Sequence, residues 1–274
     1  MTSVELAPLS KTGLRLPSPL MTAVGCFGPH IDYHGLADVE SLGAVVIGPL
    51  TARPRRGASP PRAVRVPGGV LLHSGLANPG IAASVRQYGR AWRRSAVPVI
   101  AHVATIDVHD TTTCCERLND VPGIAGVELG FADSTTIEEM DDFIAAARVC
   151  CTLPLIARLP LFRAQEICTL IAACGVDAFT VAAPPRGSAW DPSSGRLITG
   201  RLYGHFVQPL ALHAVHAVLD QVTVPVIGCG GIFETQDALD LLRAGAAAVQ
   251  VDAAVWHSPW SVSEIARGVA AATG

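Results

Sequence analysis

The sequence predicts a single α/β domain folded as a (β/α)8 TIM barrel, and three observations carry that prediction. Half of the 274 residues are hydrophobic, enough to bury one large core without disulfides or metal. Short β-branched or apolar runs bounded by Gly and Pro recur along the chain. Amphipathic segments of helical length separate most of them. Eight strand candidates over about 230 residues suit a closed barrel, for which about 250 residues is typical; a doubly wound sheet is the runner-up.

In order, the strand candidates are 19–25, 43–48, 97–103, 126–130, 154–159, 178–182, 225–228 and 247–251. Each is a short apolar run that begins or ends near Gly or Pro, and their near-continuous apolar character fits parallel strands covered on both faces. Helical spacing predicts helices over 82–95, 111–119, 136–150, 163–174, 207–221, 235–244 and near 261–272. Two stretches interrupt the alternation, and both follow strand ends. Residues 53–79 are rich in Pro, Gly and Arg, and 183–202 carry Pro184-Pro185, Asp191-Pro192 and Ser193-Ser194-Gly195. The βα loops of a barrel form its active-site face, so such insertions are where substrate selection is expected. The competing reading of 53–79 is a solvated surface loop.

Charge excludes several function classes. With 16% charged residues and a formal net charge of -3, the chain has no electrostatic footprint for nucleic acid or an anionic membrane. Residues 1–20 lack a basic flank followed by an apolar run, and no apolar stretch reaches the roughly 18 residues of a bilayer span. A cytoplasmic protein acting on a small molecule is expected, with homodimerisation left open. Eight cysteines include the adjacent pairs Cys114-Cys115 and Cys150-Cys151, with Cys168, Cys174 and Cys229 in apolar surroundings; buried free thiols are expected. No zinc spacing recurs, so a metal is not expected.

The most informative segment is Val224-Pro-Val-Ile-Gly-Cys-Gly-Gly-Ile232, followed by Ala248-Val-Gln-Val251. Glycines at the end of a late strand let backbone N–H groups approach an anion, and barrels commonly place phosphate after strands 7 and 8. The plainer alternative is a tight turn that needs small residues for packing.

These residues resemble the closing region of the class 1 dihydroorotate dehydrogenases, barrels that carry FMN. Ser18-Pro-Leu-Met-Thr-Ala-Val-Gly-Cys-Phe-Gly28 is similar to that family's opening strand, and Pro54-Arg and Pro60-Pro-Arg62 to its proline-arginine loop. Gly75-Leu-Ala-Asn-Pro-Gly80 and Thr199-Gly-Arg-Leu-Tyr-Gly204 resemble two further motifs in register. The resemblance implies flavin contacts at Ala23, Gly25, Arg158, Gly204, Gly228, Gly230, Gly231 and Asp252, and substrate contacts at Asn78 and His73.

The departures are equally specific. The family relies on two lysines and several asparagines, whereas this chain has one lysine, Lys11, and two asparagines, Asn78 and Asn119. Gly48 stands at one lysine position, and Arg158 keeps a positive charge at the other. Where the family reads Asn-Ile-Ser-Cys-Pro-Asn, this chain reads Gly130-Phe-Ala-Asp-Ser-Thr135. The loop that carries the family's catalytic base is thereby shortened, and Asp133 stands in the base's place. Its competing reading is a helix cap, by Asp133 or Ser134. Asp252 brings a carboxylate toward the phosphate position, and Arg201 is placed to offset it. Tyr203 also replaces a small residue.

His30, His34, His73 and His102 fall at strand ends or βα loops. His102 replaces a family asparagine and joins Asp133 and Arg158 as a catalytic candidate. His213 and His216 read as structural, His109 and His257 as surface residues. The resemblance thus implies an FMN oxidoreductase acting on a small cyclic or conjugated substrate other than dihydroorotate. The alternative is a non-catalytic or non-redox barrel: a regulatory protein, or a lyase, isomerase or synthase with a phosphorylated ligand.

Overall fold

The computed structural model describes residues 3–31 and 37–273; His34 lies outside them. Eight parallel strands form the barrel wall: β3 (Leu20–Thr22), β4 (Val45–Leu50), β7 (Val99–Ala104), β8 (Ile124–Gly130), β9 (Leu155–Pro160), β10 (Ala178–Ala183), β13 (Val226–Cys229) and β14 (Ala248–Val251). They pair in the order β3-β14-β13-β10-β9-β8-β7-β4, and a parallel bridge between Met21 and Ala44 brings the two ends together. All eight predicted strands are present. The expected helices follow as α1 (Ile81–Arg93), α2 (Val108–Asn119), α3 (Ile137–Cys150), α4 (Ala164–Ala173), α5 (Gln208–Leu219), α6 (Thr235–Arg243) and α8 (Ser261–Thr273). The short α7 (Ala254–His257) was not expected.

Side chains of a strand alternate faces, so residues two apart share one. Val46, Ile100, Ile156, Ala178, Ile227 and Ala248 form one apolar layer inside the barrel. Leu6, Leu14 and Leu16 join it from the antiparallel pair β1 (Val4–Glu5) and β2 (Arg15–Leu16), which plugs the barrel floor. The wall's outer face packs against the helices in a second, larger apolar cluster that includes Trp92, Phe143 and Ile265.

The two interruptions are not plain loops. β5 (Ala63–Val66), β6 (Gly69–Leu72), β11 (Arg186–Trp190) and β12 (Leu197–Gly204) make one antiparallel sheet in the order β11-β12-β6-β5. Arg201 to Gly204 pair with Leu72 to Gly69, which joins the two insertions above the barrel mouth. Val64, Leu71 and Ile198 give that sheet a small apolar core of its own. Among the described residues no helix is long and apolar enough to cross a membrane.

All eight cysteines are free, six of them buried; Cys150 and Cys174 are half-buried, a correction to the expectation that all lie inside. His213 and His216 are exposed on α5 rather than structural, and His109 and His257 are exposed as expected.

Candidate functional site

One step of two residues along the wall converts the apolar layer into a polar one. Ile100 gives way to His102, Gly126 to Glu128, Ile156 to Arg158, Ala178 to Thr180, Ile227 to Cys229 and Ala248 to Gln250. Glu128 is completely buried at the centre of this layer. Its Oε1 pairs with His102 Nδ1 at 2.7 Å, and its Oε2 accepts from Thr180 Oγ1 at 2.6 Å and from Gln250 Nε2 at 2.8 Å. Arg158 lies 3.6 Å from the carboxylate and donates to Gln250 Oε1 at 2.7 Å, to Cys229 Sγ at 3.2 Å and to the Ala182 carbonyl at 3.4 Å. Burial works against the charged form of Glu128, but Arg158 and the hydrogen bonds from His102 and Thr180 outweigh it and hold the carboxyl down at about 2.

An ionised Glu128 accepts the Nδ1 proton of His102, which leaves Nε2 as the free ring nitrogen. Nε2 has no hydrogen-bond partner among the described residues, and the ring forms part of the wall of a cavity of about 380 Å³ at the barrel mouth. Gly130 makes room for that ring, because a Cβ there would come within 2.4 Å of His102 Cε1 and Nε2. Two departures noted separately in the sequence, a histidine at 102 and a glycine at 130, are therefore one steric change.

Of the candidate residues, Gly25, His73, His102, Arg158 and Asp252 line the cavity. Asp133 does not, because its carboxylate turns to the mouth sheet: Oδ1 accepts from Arg201 Nη1 at 2.8 Å and Oδ2 lies 3.9 Å from Arg186 Nε. Two readings are corrected here. The cap of α3 is Thr136, whose side chain takes the Glu139 N–H while Glu139 reaches back, so neither Asp133 nor Ser134 caps it. Arg201 pairs with Asp133 rather than offsetting Asp252. Asn78 also stays outside the cavity. Its amide donates to Thr51 Oγ1 and the Leu76 carbonyl, and its Oδ1 accepts from the Gly80 N–H at 2.8 Å, bracing the loop before α1.

Comparison with known proteins agrees with this architecture. The sequence pattern of the family described as Dihydroorotate dehydrogenase matches residues 9–132 and 166–272. The catalytic subunit of dihydroorotate dehydrogenase B (NAD(+)) from Geotalea uraniireducens (strain Rf4) is 33% identical over 283 residues, covering 97% of this chain and 91% of that protein. Its counterpart from Pelobacter propionicus (strain DSM 2379 / NBRC 103807 / OttBd1) is 34% identical over 274 residues, covering 94% of this chain and 90% of that one. The chain belongs to the dihydroorotate dehydrogenase family. The crystal structure of the Eimeria tenella enzyme in complex with ferulenol shares the fold, with a TM-score of 0.79 at 17% identity over 97% of this chain and 83% of that one. The family pattern breaks over 133–165, which begins at the shortened connection from β8 to α3.

FMN, the cofactor the family resemblance implies, meets two obstacles in these residues. The turn glycines Gly204, Gly228, Gly230 and Gly231 do not line the cavity, whereas Tyr203 and Asp252 do. A Cβ at Gly231 would come within 2.2 Å of the Gln208 nitrogen and one at Gly204 within 2.5 Å of the Gly68 carbonyl, so neither position has room for a side chain. Asp252 is buried, and its Oδ1 already accepts the Ala253 N–H at 2.5 Å. Burial raises its carboxyl above the usual range. Tyr203 packs edge-on against Trp256 at 4.8 Å, beside that carboxylate. These residues do not fit a phosphate-anchored FMN. Ala23 does not line the cavity either; it is buried, with its N–H on the Val251 carbonyl.

Glu128, Thr180 and Gln250 escaped the sequence reading. The signal for Glu128 was present, since it is a lone charge in an otherwise apolar strand, where an unpaired charge would be costly.

Proposed function

We propose that this member of the family binds a small cyclic or conjugated compound other than dihydroorotate in the barrel-mouth cavity, with His102 meeting it through Nε2. The observation that carries this reading is the fate of the groups that would hold and deprotonate dihydroorotate. Asn78 is engaged by its own loop, and Asp133 is engaged by Arg201. Burying the polar atoms of dihydroorotate without partners is costly. The cavity offers instead a ring nitrogen positioned by a buried carboxylate, flanked by His73, Arg186 and Arg201, which favours a ring bearing an acidic or carbonyl group.

Family membership supports oxidoreductase chemistry, and the residues at the phosphate end of the site set this chain apart from a phosphate-anchored FMN. His102 is suited to accept or return a proton at Nε2 while Glu128 holds the ring in one orientation, which is the arrangement of a general acid–base group. Arg158 holds charge beside them, fixed by Gln250.

Calorimetric titration with dihydroorotate and with orotate tests the reading, and no binding heat is expected from either. Native mass spectrometry of the protein as purified should show either the bare chain or a small adduct lacking the mass of FMN. A yellow protein that carries FMN and whose flavin absorbance bleaches on anaerobic mixing with dihydroorotate would overturn the proposal.

A further inference from the structure

Barrels hold ligand phosphates on backbone N–H groups at the ends of their last two strands, where glycines let an anion approach. This chain has the glycines, Gly230 and Gly231 after β13, both at positive φ. Neither glycine lines the cavity, whereas Tyr203 and Asp252 do. The Asp252 carboxylate lies at the end of β14 and takes the Ala253 N–H, so a backbone donor suited to an anion already has one. The Tyr203 ring comes from β12 of the mouth sheet and rests on Trp256 of α7. Two elements that are remote in sequence thus deliver an acid and an aromatic ring to the same spot.

We infer that this end of the site is filled by the protein's own carboxylate and phenol in place of a ligand phosphate, so that the cavity selects unphosphorylated ring compounds. The inference deepens the proposal of a small cyclic or conjugated ligand and rests on it. A phosphate dianion brought to Asp252 would meet a like charge in a water-poor site, where such repulsion is strong. An unphosphorylated ring needs only the part of the cavity between His102, Arg158 and the mouth sheet.

Fluorescence titrations with FMN and with riboflavin, which differ only by the phosphate, test it on the full chain and on a Tyr203→Ser/Asp252→Gly variant. Circular dichroism melts establish that each protein is folded, and Tyr203→Ala/Asp252→Ala serves if the introduced glycine prevents folding. The wild-type chain is expected to bind FMN no more tightly than riboflavin. The double variant should gain a preference for FMN of about tenfold or more, the worth of roughly one charge-assisted hydrogen bond. A wild-type chain that prefers FMN by that factor overturns the inference, and so does a folded double variant that shows no phosphate preference or binds neither flavin. The calorimetry with dihydroorotate is independent: binding there would sink the proposed ligand class while leaving the phosphate preference a separate result.

Discussion

Two successive layers inside the barrel are built largely from the same wall strands, one step of two residues apart, and they differ in almost every physical respect. The lower layer is Val46, Ile100, Ile156, Ala178, Ile227 and Ala248, sealed from below by leucines of the N-terminal hairpin. The upper layer holds Glu128, His102, Arg158, Thr180 and Gln250 in one closed hydrogen-bond network. A barrel interior is a packed core filled in layers. The lower layer is stabilised by removing apolar surface from water and has no preferred partner within it. The upper layer is the reverse: each group is buried at a desolvation cost that only its particular partner offsets. The difference teaches where this protein invests stability in geometry, because a network of that kind is needed only to hold a group such as His102 in a fixed pose.

The comparison breaks most sharply at Glu128. Glu128→Ala should cost about 3–5 kcal/mol, since it strands Arg158 in a buried site. A Glu128→Leu/Arg158→Leu pair should lose less than the sum of the two singles, because neither leaves an unpaired charge. Urea denaturation midpoints of wild type, Glu128→Ala, the two leucine singles and their double variant read both effects; strict additivity would show that the network is no more than packing. The pH dependence has a definite sign. A carboxyl held at about 2 in the fold against an ordinary 4.5 contributes stability that is fully present above 4.5 and is lost as pH falls toward 2. Ile156→Ala, one layer down, should also destabilise by about 2–5 kcal/mol through a cavity, but without adding a pH dependence in that window.

Next in size are two glycines of β8 that stand on either side of Glu128. A methyl at Gly130 would strike the His102 ring at 2.4 Å, whereas one at Gly126 would meet the end of the Leu14 side chain at 3.3 Å and the Pro154 carbonyl at 3.4 Å. Gly130→Ala should therefore cost about 1–3 kcal/mol by overpacking and should turn His102 away from Glu128, seen as a changed imidazole signal in nitrogen NMR. Gly126→Ala should cost less and leave that signal unmoved. Equal effects on the signal would show that His102 is not confined by position 130.

Asn78→Ala sharpens the contrast between holding a ligand and holding a loop. It should lower stability by about 1–3 kcal/mol, because Thr51 and the Gly80 N–H lose a partner, while leaving binding in the cavity unchanged. A thermal melt beside a ligand titration separates the two.

The strands that carry the lower layer were legible in the sequence, and the upper layer only at His102 and Arg158. Apolar strands bounded by Gly and Pro announce themselves locally, which is why all eight wall strands were found. The mouth sheet was not, because β6 pairs with β12 across more than a hundred residues and neither strand carries a clear two-residue alternation. Arg158 stood out as the charge kept at a family lysine position, yet its partners sit on four other strands, and only the barrel's stagger brings them to one level. Asn78 and Asp133 were singled out by position in family motifs; what each side chain touches depends on Thr51 and Arg201, which no local pattern links to them.

The smallest expected effect concerns the second buried carboxylate, and its sign is opposite to that of Glu128. Burial raises the carboxyl of Asp252 above the ordinary 3.8, and neither the Ala253 N–H nor Arg158 fully compensates. A folded state that binds its proton more tightly than the unfolded chain loses stability as pH rises through 3.8 and beyond. Asp252→Asn keeps an oxygen that can accept from Ala253 and removes the charge. It should therefore raise the denaturation midpoint near neutral pH, and the gain should vanish below 3.8, where both side chains are neutral. Chemical denaturation of the two proteins across pH 3 to 7 reads this directly. A variant less stable than wild type at neutral pH would mean that the Asp252 charge has a partner strong enough to hold it, and the account of a self-filled anion position would then need an ion pair in place of a buried acid.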